Sequence, residues 1–120
     1  MATRDTCCSI APYFEVNEGR LPDFHRLCER FVELTRNEPG CLYYGFCFDG
    51  NAAHCREGYR DAAAALAHLE NVGSTLGEAL KIAKLVRLEI HGPESELAAL
   101  RGPLASLSPA FFALEHGFRR

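Results

Sequence analysis

The stretch Asn37-Glu38-Pro39-Gly40-Cys41, followed directly by Leu42-Tyr43-Tyr44-Gly45-Phe46, decides how the chain is divided. A segment whose apolar residues recur at helical spacing ends just before it, and an aromatic segment begins just after it. Pro39 and Gly40 supply a helix stop and a tight exit turn. The stretch therefore predicts a joint between a helix and a strand.

Upstream of this joint, a predicted strand over residues 7–16 leads through a turn to a predicted helix over residues 21–36. Pro22 suits the first turn of that helix. The apolar residues of the helix recur on one face, as expected for a helix that covers a core. They are Phe24, Leu27, Cys28, Phe31 and Leu34.

Downstream, predicted strands over residues 41–48 and 53–59 flank Asp49-Gly50-Asn51, which is a strong hairpin signal. A loop centred on residues 50–51 pairs Cys47 with His54, Tyr44 with Glu57, and Leu42 with Tyr59. A shift of one residue would exchange the two faces of both strands, so the register stays open here.

The second half of the chain predicts another helix and strand. Asp61 is a suitable N-cap for a helix over residues 62–72, and Gly73-Ser74 predicts a break before a second segment that ends near residue 84. A strand over residues 85–91 should point Val86, Leu88 and Ile90 toward one face. A short helix ending near residue 101 and a last strand over residues 111–118 should follow.

The resulting order, β-α-β-β-α-β, predicts an α+β fold of the ferredoxin-like split βαβ type, with an additional short helix and strand at the C-terminus. The 120 residues suffice for a single domain. Two helices cover only one face of a four-stranded antiparallel sheet. Because the chain has no third layer for the other face, we expect a homodimer in which the sheet faces pack together.

Composition excludes several classes of protein. The formal net charge is −3 and no basic stripe is present, which argues against binding to nucleic acid. No apolar run is long enough to span a membrane. Arg4 and Asp5 interrupt the region where a signal peptide would begin, so we expect a cytoplasmic protein whose six cysteines are free thiols.

A resemblance to a known family rests on several of these features. They are the turn Asn17-Glu18-Gly19, the joint Glu38-Pro39-Gly40-Cys41, the strand end Glu57-Gly58-Tyr59, and Asp61 opening a helix with Ala67-His68-Leu69. In these positions the chain resembles the antibiotic biosynthesis monooxygenase family, with a core over residues 8–91 and a C-terminal extension over residues 92–120.

The resemblance implies a dimeric α+β barrel with a pocket between sheet and helices in each subunit. Some members oxidise electron-rich aromatic compounds with dioxygen and without metal or flavin. Others degrade haem, isomerise small phosphorylated sugars, or have no known activity. The fold alone therefore does not determine the chemistry.

His68 is the first candidate for catalysis, because a neutral imidazole on an otherwise Ala- and Leu-rich helix could act as a general base. Glu57 and Tyr59 share one face of a strand and could orient His68 or hold a substrate hydroxyl. Two structural alternatives are a His68 that is exposed to solvent or hydrogen-bonded to a neighbour, and a Glu57 that forms an ion pair with Arg87 or Arg26. The candidate substrate-binding residues are Tyr44, Phe46, His54 and Tyr13.

No cofactor motif or metal-binding pattern is found in the sequence. The family resemblance and the expected apolar pocket with few polar groups make the leading hypothesis a cofactor-independent monooxygenase that acts on a small electron-rich aromatic or enolic compound. The alternative is a non-oxidative isomerase or a small-molecule binding protein that uses the same pocket. The apolar last strand, with Phe111 and Phe112, is expected to dock at the dimer interface.

Overall fold

The computed structural model describes residues 3–120 and has the predicted α+β order. The elements are β1 (Cys8–Val16), α1 (Leu21–Arg36), β2 (Cys41–Asp49), β3 (Ala52–Tyr59), α2 (Ala62–Ala79), β4 (Ala83–Gly92), α3 (Glu94–Arg101), a 3-10 turn (Ala105–Leu107) and β5 (Ala110–Ala113). The ferredoxin-like fold with a short additional helix and strand is therefore confirmed.

The five strands form one sheet in the order β2-β3-β1-β4-β5, in which the first four strands are antiparallel and β5 is parallel to β4. The last strand was expected over residues 111–118, but it is shorter and extends the sheet of its own subunit. Its pairing runs from Glu89 with Ala110 to Gly92 with Ala113. A role for this strand at a dimer interface stays a prediction.

The hairpin register is confirmed in its middle and wrong at its end. Tyr44 pairs with Glu57 and Cys47 pairs with His54, but Cys41, rather than Leu42, pairs with Tyr59. The reason is an irregularity between Cys41 and Tyr43 that inserts one additional residue into β2.

A second irregularity, between Tyr13 and Phe14 in the pairing of β1 with β4, changes the expected alternation of β4. Arg87 pairs with Tyr13 and Leu85 with Phe14, so Val86 lies between two registered pairs. Leu88 and Ile90 are both buried and line the cavity side of the sheet, but Val86 is exposed. The prediction that these three residues share one face is therefore wrong for Val86.

The expected break at residues 73–74 does not occur, and α2 is continuous over 18 residues. The residues that hold it are buried at helical spacing on both sides of Gly73, namely Val72, Thr75 and Ala79. Burial of this stripe outweighs the low helix propensity of the two glycines in α2, Gly73 and Gly77.

Two groups of buried apolar side chains fill the space between sheet and helices. One includes Phe24 and Phe31 of α1 with Phe14 of β1. The other joins Leu97 and Leu100 of α3 to α2 and the centre of the sheet. The C-terminal extension is thus part of the core of the domain, and a cavity remains between the two groups.

Candidate functional site

A narrow, mostly apolar cavity of about 50 Å³ lies between the sheet and the helices. Its lining comes from four neighbouring strands, from α1 and α2, and from the C-terminal extension. The lining residues are Ile10, Pro12, Phe14, Phe31, Tyr44, Phe46, Cys55, Glu57, His68, Leu69, Val72, Leu76, Leu85, Leu88, Ile90, Leu104 and Leu107. Among the described residues, the polar side chains of this lining belong to β2, β3 and α2.

His68 reaches the cavity because of its position in the helix. The Asp61 side chain caps α2 by accepting a hydrogen bond from the backbone N–H of Ala64 at 2.8 Å. From there, Ala65, His68 and Val72 follow at helical spacing on the buried stripe. His68 is only 2% exposed, so the alternative of a solvent-exposed histidine is wrong, but the alternative of a histidine hydrogen-bonded to a neighbour describes what is found.

Glu38 holds one side of the His68 ring, and it is the site residue that the sequence analysis missed. Its carboxylate lies 2.9 Å from His68 Nδ1 and also accepts a hydrogen bond from the side-chain amide of Asn71 at 2.7 Å. A carboxylate at this distance fixes the proton on Nδ1, which donates to Glu38. The lone pair of Nε2 then points the other way.

The joint that opened the sequence analysis places Glu38 there. A side chain at Gly40 would meet the Cβ atom of Ala64 at 2.5 Å, so only glycine allows this close approach between the joint and α2. The backbone carbonyl of Gly40 also accepts a hydrogen bond from the N–H of Arg60 at 2.8 Å. These contacts bring Glu38 within hydrogen-bonding distance of His68, which lies 30 positions later in the chain.

Glu57 lies on the other side of the imidazole, with its Oε1 atom 3.4 Å from His68 Nε2. The Tyr59 hydroxyl donates a hydrogen bond of 2.6 Å to the same oxygen. Glu57 is 5% exposed, and burial raises its pKa from 4.5 to about 7, although the hydrogen bonds from Tyr59 and Cys55 oppose the change. The alternative ion pairs of Glu57 with Arg26 or Arg87 do not form, because these arginines pair with Asp23 and Glu89.

Burial lowers the pKa of His68, and the neighbouring Glu38 carboxylate opposes this effect. The pKa changes of the two groups are complementary, since the pKa of His68 is lowered and that of Glu57 is raised. Near neutral pH the imidazole is neutral while Glu57 still carries its proton for much of the time. The cavity wall therefore holds a proton acceptor and a proton donor side by side.

The remaining predicted site residues divide between the two faces of the sheet. Tyr44 and Phe46 line the cavity, and the Tyr44 ring lies 5.3 Å from the His68 ring. Tyr13 and His54 lie on the opposite face, where their rings stack at 4.2 Å, and neither lines the cavity. Tyr59 is fully buried behind Glu57 and does not line the cavity either.

The alternation of the strands explains these placements. Tyr13 lies between Pro12 and Phe14, which both line the cavity, so its own side chain must point to the other face. Tyr13 pairs with His54 across the strands, and paired residues share a face.

Over residues 3–120, no group of three His, Cys, Asp or Glu side chains is arranged to hold a metal ion. In the same part of the chain, no helix has the length and apolar character needed to cross a membrane.

Comparison with known proteins identifies the family of the chain. Residues 9–74 match the family model for antibiotic biosynthesis monooxygenase. The chain is similar to the crystal structure of MupZ from Pseudomonas fluorescens, with 48% identity, coverage of 100% of this chain and 94% of that chain, and a TM-score of 0.95. Among curated proteins, no sequence matches the chain significantly.

More distant structures share the fold. A conserved protein from Methanosarcina mazei is 18% identical, with coverage of 72% of this chain and 89% of that chain and a TM-score of 0.64. Rv0793 from Mycobacterium tuberculosis is also 18% identical, with coverage of 70% and 89% and a TM-score of 0.61. Membership of the matched family suggests a monooxygenase-like function, and members are typically dimeric. The chain belongs to the antibiotic biosynthesis monooxygenase family.

Proposed function

We propose that the protein is a cofactor-independent monooxygenase that acts on a small electron-rich aromatic or enolic compound. The observation that carries the proposal is the position of His68 Nε2, 3.4 Å from the buried Glu57 carboxyl group in an apolar cavity. A base beside an acid in such surroundings is suited to forming a substrate anion and to protonating the oxygen that leaves.

His68 is the base in this proposal. The Glu38 carboxylate keeps the proton on Nδ1 and leaves the Nε2 lone pair free for a phenol, an enol or an acidic C–H. When Nε2 takes a proton, the positive charge on the imidazole is stabilised by Glu38 at 2.9 Å. Asn71 holds Glu38 in place and acts as a positioning residue.

Glu57 is the acid. The substrate anion transfers an electron to dioxygen, and recombination of the two radicals gives a peroxide on the substrate carbon. Cleavage of its O–O bond leaves one oxygen atom in the product and releases the other as water, with the two hydrogens that the reacting carbon loses. His68 passes its first proton to the peroxide and then removes the second hydrogen of the reacting carbon as a proton while the O–O bond breaks. Glu57 protonates the hydroxide that leaves, which gives water, and His68 returns the second proton to Glu57. Tyr59 acts through Glu57, whose Oε1 it holds at 2.6 Å.

The shape of the cavity supports an aromatic or enolic substrate. Tyr44 and Phe46 of β2 and Phe14 of β1 form aromatic walls near the acid and base. Flat apolar walls favour a planar, weakly hydrated substrate, and exclusion of water strengthens the electrostatic effect of the few polar groups.

Oxygen uptake with anthrone or a quinol as substrate tests the proposal. Wild-type protein should consume dioxygen in the absence of added metal or flavin, and His68→Ala should reduce the rate by about 100-fold or more. The matched control is His116→Ala, which removes an exposed histidine far along the chain from the site and should leave the rate unchanged. Equal rates for wild type and His68→Ala would remove the role assigned to His68.

A non-oxidative isomerase is the second candidate, and one observation favours it. An enolisable substrate isomerises when a proton moves between two of its atoms, which requires a proton donor and a proton acceptor that both work near pH 7. Glu57 and His68 form such a pair, and the reaction needs no oxygen. Deuterium exchange into 2-tetralone under argon, followed by NMR, separates the two candidates. Exchange that depends on His68 and is not followed by oxygen uptake in air would favour the isomerase.

The protein is further proposed to be a cytoplasmic homodimer whose subunits meet through the sheet face opposite the helices. The side chains of Tyr13 and Tyr43 are partly exposed on this face, and the Tyr43 ring packs directly over Gly58. A partly apolar sheet face without a covering layer supports association. Sedimentation at micromolar concentration that shows only monomer would contradict the dimer.

A further inference from the structure

The C-terminal extension contributes to the cavity of the candidate site. The family model ends at residue 74, and the extension over residues 92–120 lies beyond it. Leu104 and Leu107, at the 3-10 turn of this extension, nevertheless line the cavity. A segment outside the shared family region thus forms part of the wall that a substrate would touch.

The cavity has a polar end and an apolar end. Glu57 and His68 lie on the β3 side, whereas the β4 side is lined by Leu85, Leu88 and Ile90 and is closed by the extension. In the sheet order, β1 separates β3 from β4. Two strand spacings place the apolar end roughly 10 Å from Glu57.

The extension is firmly held. Leu97 and Leu100 of α3 are fully buried against the core, and Leu104 is 3% exposed. β5 adds backbone hydrogen bonds to β4 on the far side of the 3-10 turn. Leu107, by contrast, is only partly buried and packs on the edge of this group. It is therefore the wall residue whose side chain can be changed at the lowest cost to folding.

We propose that Leu104 and Leu107 form a specificity-determining wall that receives an aliphatic tail, so that the substrate is an elongated molecule with an ionisable head at Glu57 and His68. The inference rests on the proposed function for the position of the head. The aliphatic lining at the β4 end, with no described polar side chain among it, favours a saturated or weakly unsaturated tail over a polar one.

Binding of phenol, 4-propylphenol, 4-pentylphenol and 4-heptylphenol, measured by calorimetry, tests the wall. In wild-type protein the affinity should rise by about fourfold for each methylene group that reaches the apolar end. Leu107→Gln should abolish the gain for the longest tails and leave the affinity for 4-propylphenol unchanged. Leu107→Phe keeps the wall apolar but fills the space, so it should also weaken the longest ligands selectively.

Leu66→Gln is the matched control, because Leu66 is partly buried in the same apolar group but does not line the cavity. It should retain the wild-type dependence on tail length. The proposal would be overturned if the affinity depended on tail length in both Leu107 variants as it does in wild type. It would also be overturned if none of these ligands bound to wild-type protein. Anthrone has no tail, so its oxidation tests the proposed function separately. If wild-type protein does not oxidise anthrone but its affinity for the alkylphenols still rises with tail length, only the proposed function is refuted.

Discussion

Replacing Glu57 by Gln should remove a pH dependence from the stability of the protein. Glutamine has the shape of the protonated acid, and its amide oxygen can still accept the hydrogen bond from Tyr59. The folded state of the wild type holds the Glu57 proton up to a pH of about 7, whereas an unfolded chain releases it near the ordinary value of 4.5. Between these values, the folded state binds more protons than the unfolded state.

A surplus of protons in the folded state means that the free energy of unfolding falls as the pH rises. The contribution of Glu57 is fully present below about pH 4.5 and is lost as the pH rises through about 7. Integrated from about pH 5 to about pH 8, the loss is on the order of 2–3 kcal/mol. His68 acts in the opposite sense, because its lowered pKa costs stability as the pH falls below its ordinary value of 6.5.

Urea unfolding, followed by circular dichroism at several values in this pH range, measures the effect. His68 is present in both proteins, so the difference between wild type and Glu57→Gln isolates Glu57. The variant should gain on wild type by about 2–3 kcal/mol on going from the acidic to the alkaline end. Glu70→Gln, on the exposed side of α2, should follow wild type. Parallel curves for wild type and Glu57→Gln would refute the assignment of a buried, protonated carboxyl group.

Three further outcomes follow from the same structure. Gly40→Ala should destabilise the fold by about 1–3 kcal/mol in thermal unfolding, because the new methyl group meets Ala64, and the added change Ala64→Gly should restore much of the loss. Glu38→Gln should lower kcat for oxygen uptake by about 10–100-fold with little change in melting temperature, and an unchanged kcat would exclude Glu38 from the mechanism. Truncation after Ser108 removes β5 and should lower the free energy of unfolding by about 1–2 kcal/mol through the loss of Phe111 alone. Sedimentation of the truncated protein shows whether β5 also supports the dimer. A dimer as tight as that of the full chain would limit the role of β5 to its own subunit.

The order of elements was predictable because each local signal agreed with the final fold. The joint at residues 37–41 and the hairpin turn at residues 49–51 both fall where the structure has them. The errors arose where tertiary packing decided the result. Burial of Val72 and Thr75 carries α2 through Gly73, and additional residues in β2 and β4 shift the pairing beyond what a regular period predicts.

The site was predictable only in part. His68, Tyr44 and Phe46 could be placed on elements from spacing, and they do come together at one cavity with Glu57. Glu38 could not be placed at the site from the sequence, because its contact with His68 joins a turn to a helix 30 positions later and leaves no periodic signal. Tyr13 and His54 were predicted to bind the substrate, but the structure places them on the sheet face away from the cavity. Spacing groups residues by face, but which face meets the helices depends on packing.

The protonation state of the His68 ring tests the central claim most directly, since the base must carry a free lone pair on Nε2 beside Glu57. Long-range proton–nitrogen correlation NMR of nitrogen-15-labelled protein near pH 7 reports each ring nitrogen, and His68→Gln identifies the signals among the five histidines. The account predicts a neutral ring with its proton on Nδ1, donated to Glu38, and an unprotonated Nε2. A signal for a protonated Nε2, in either the imidazolium or the other neutral tautomer, would contradict it.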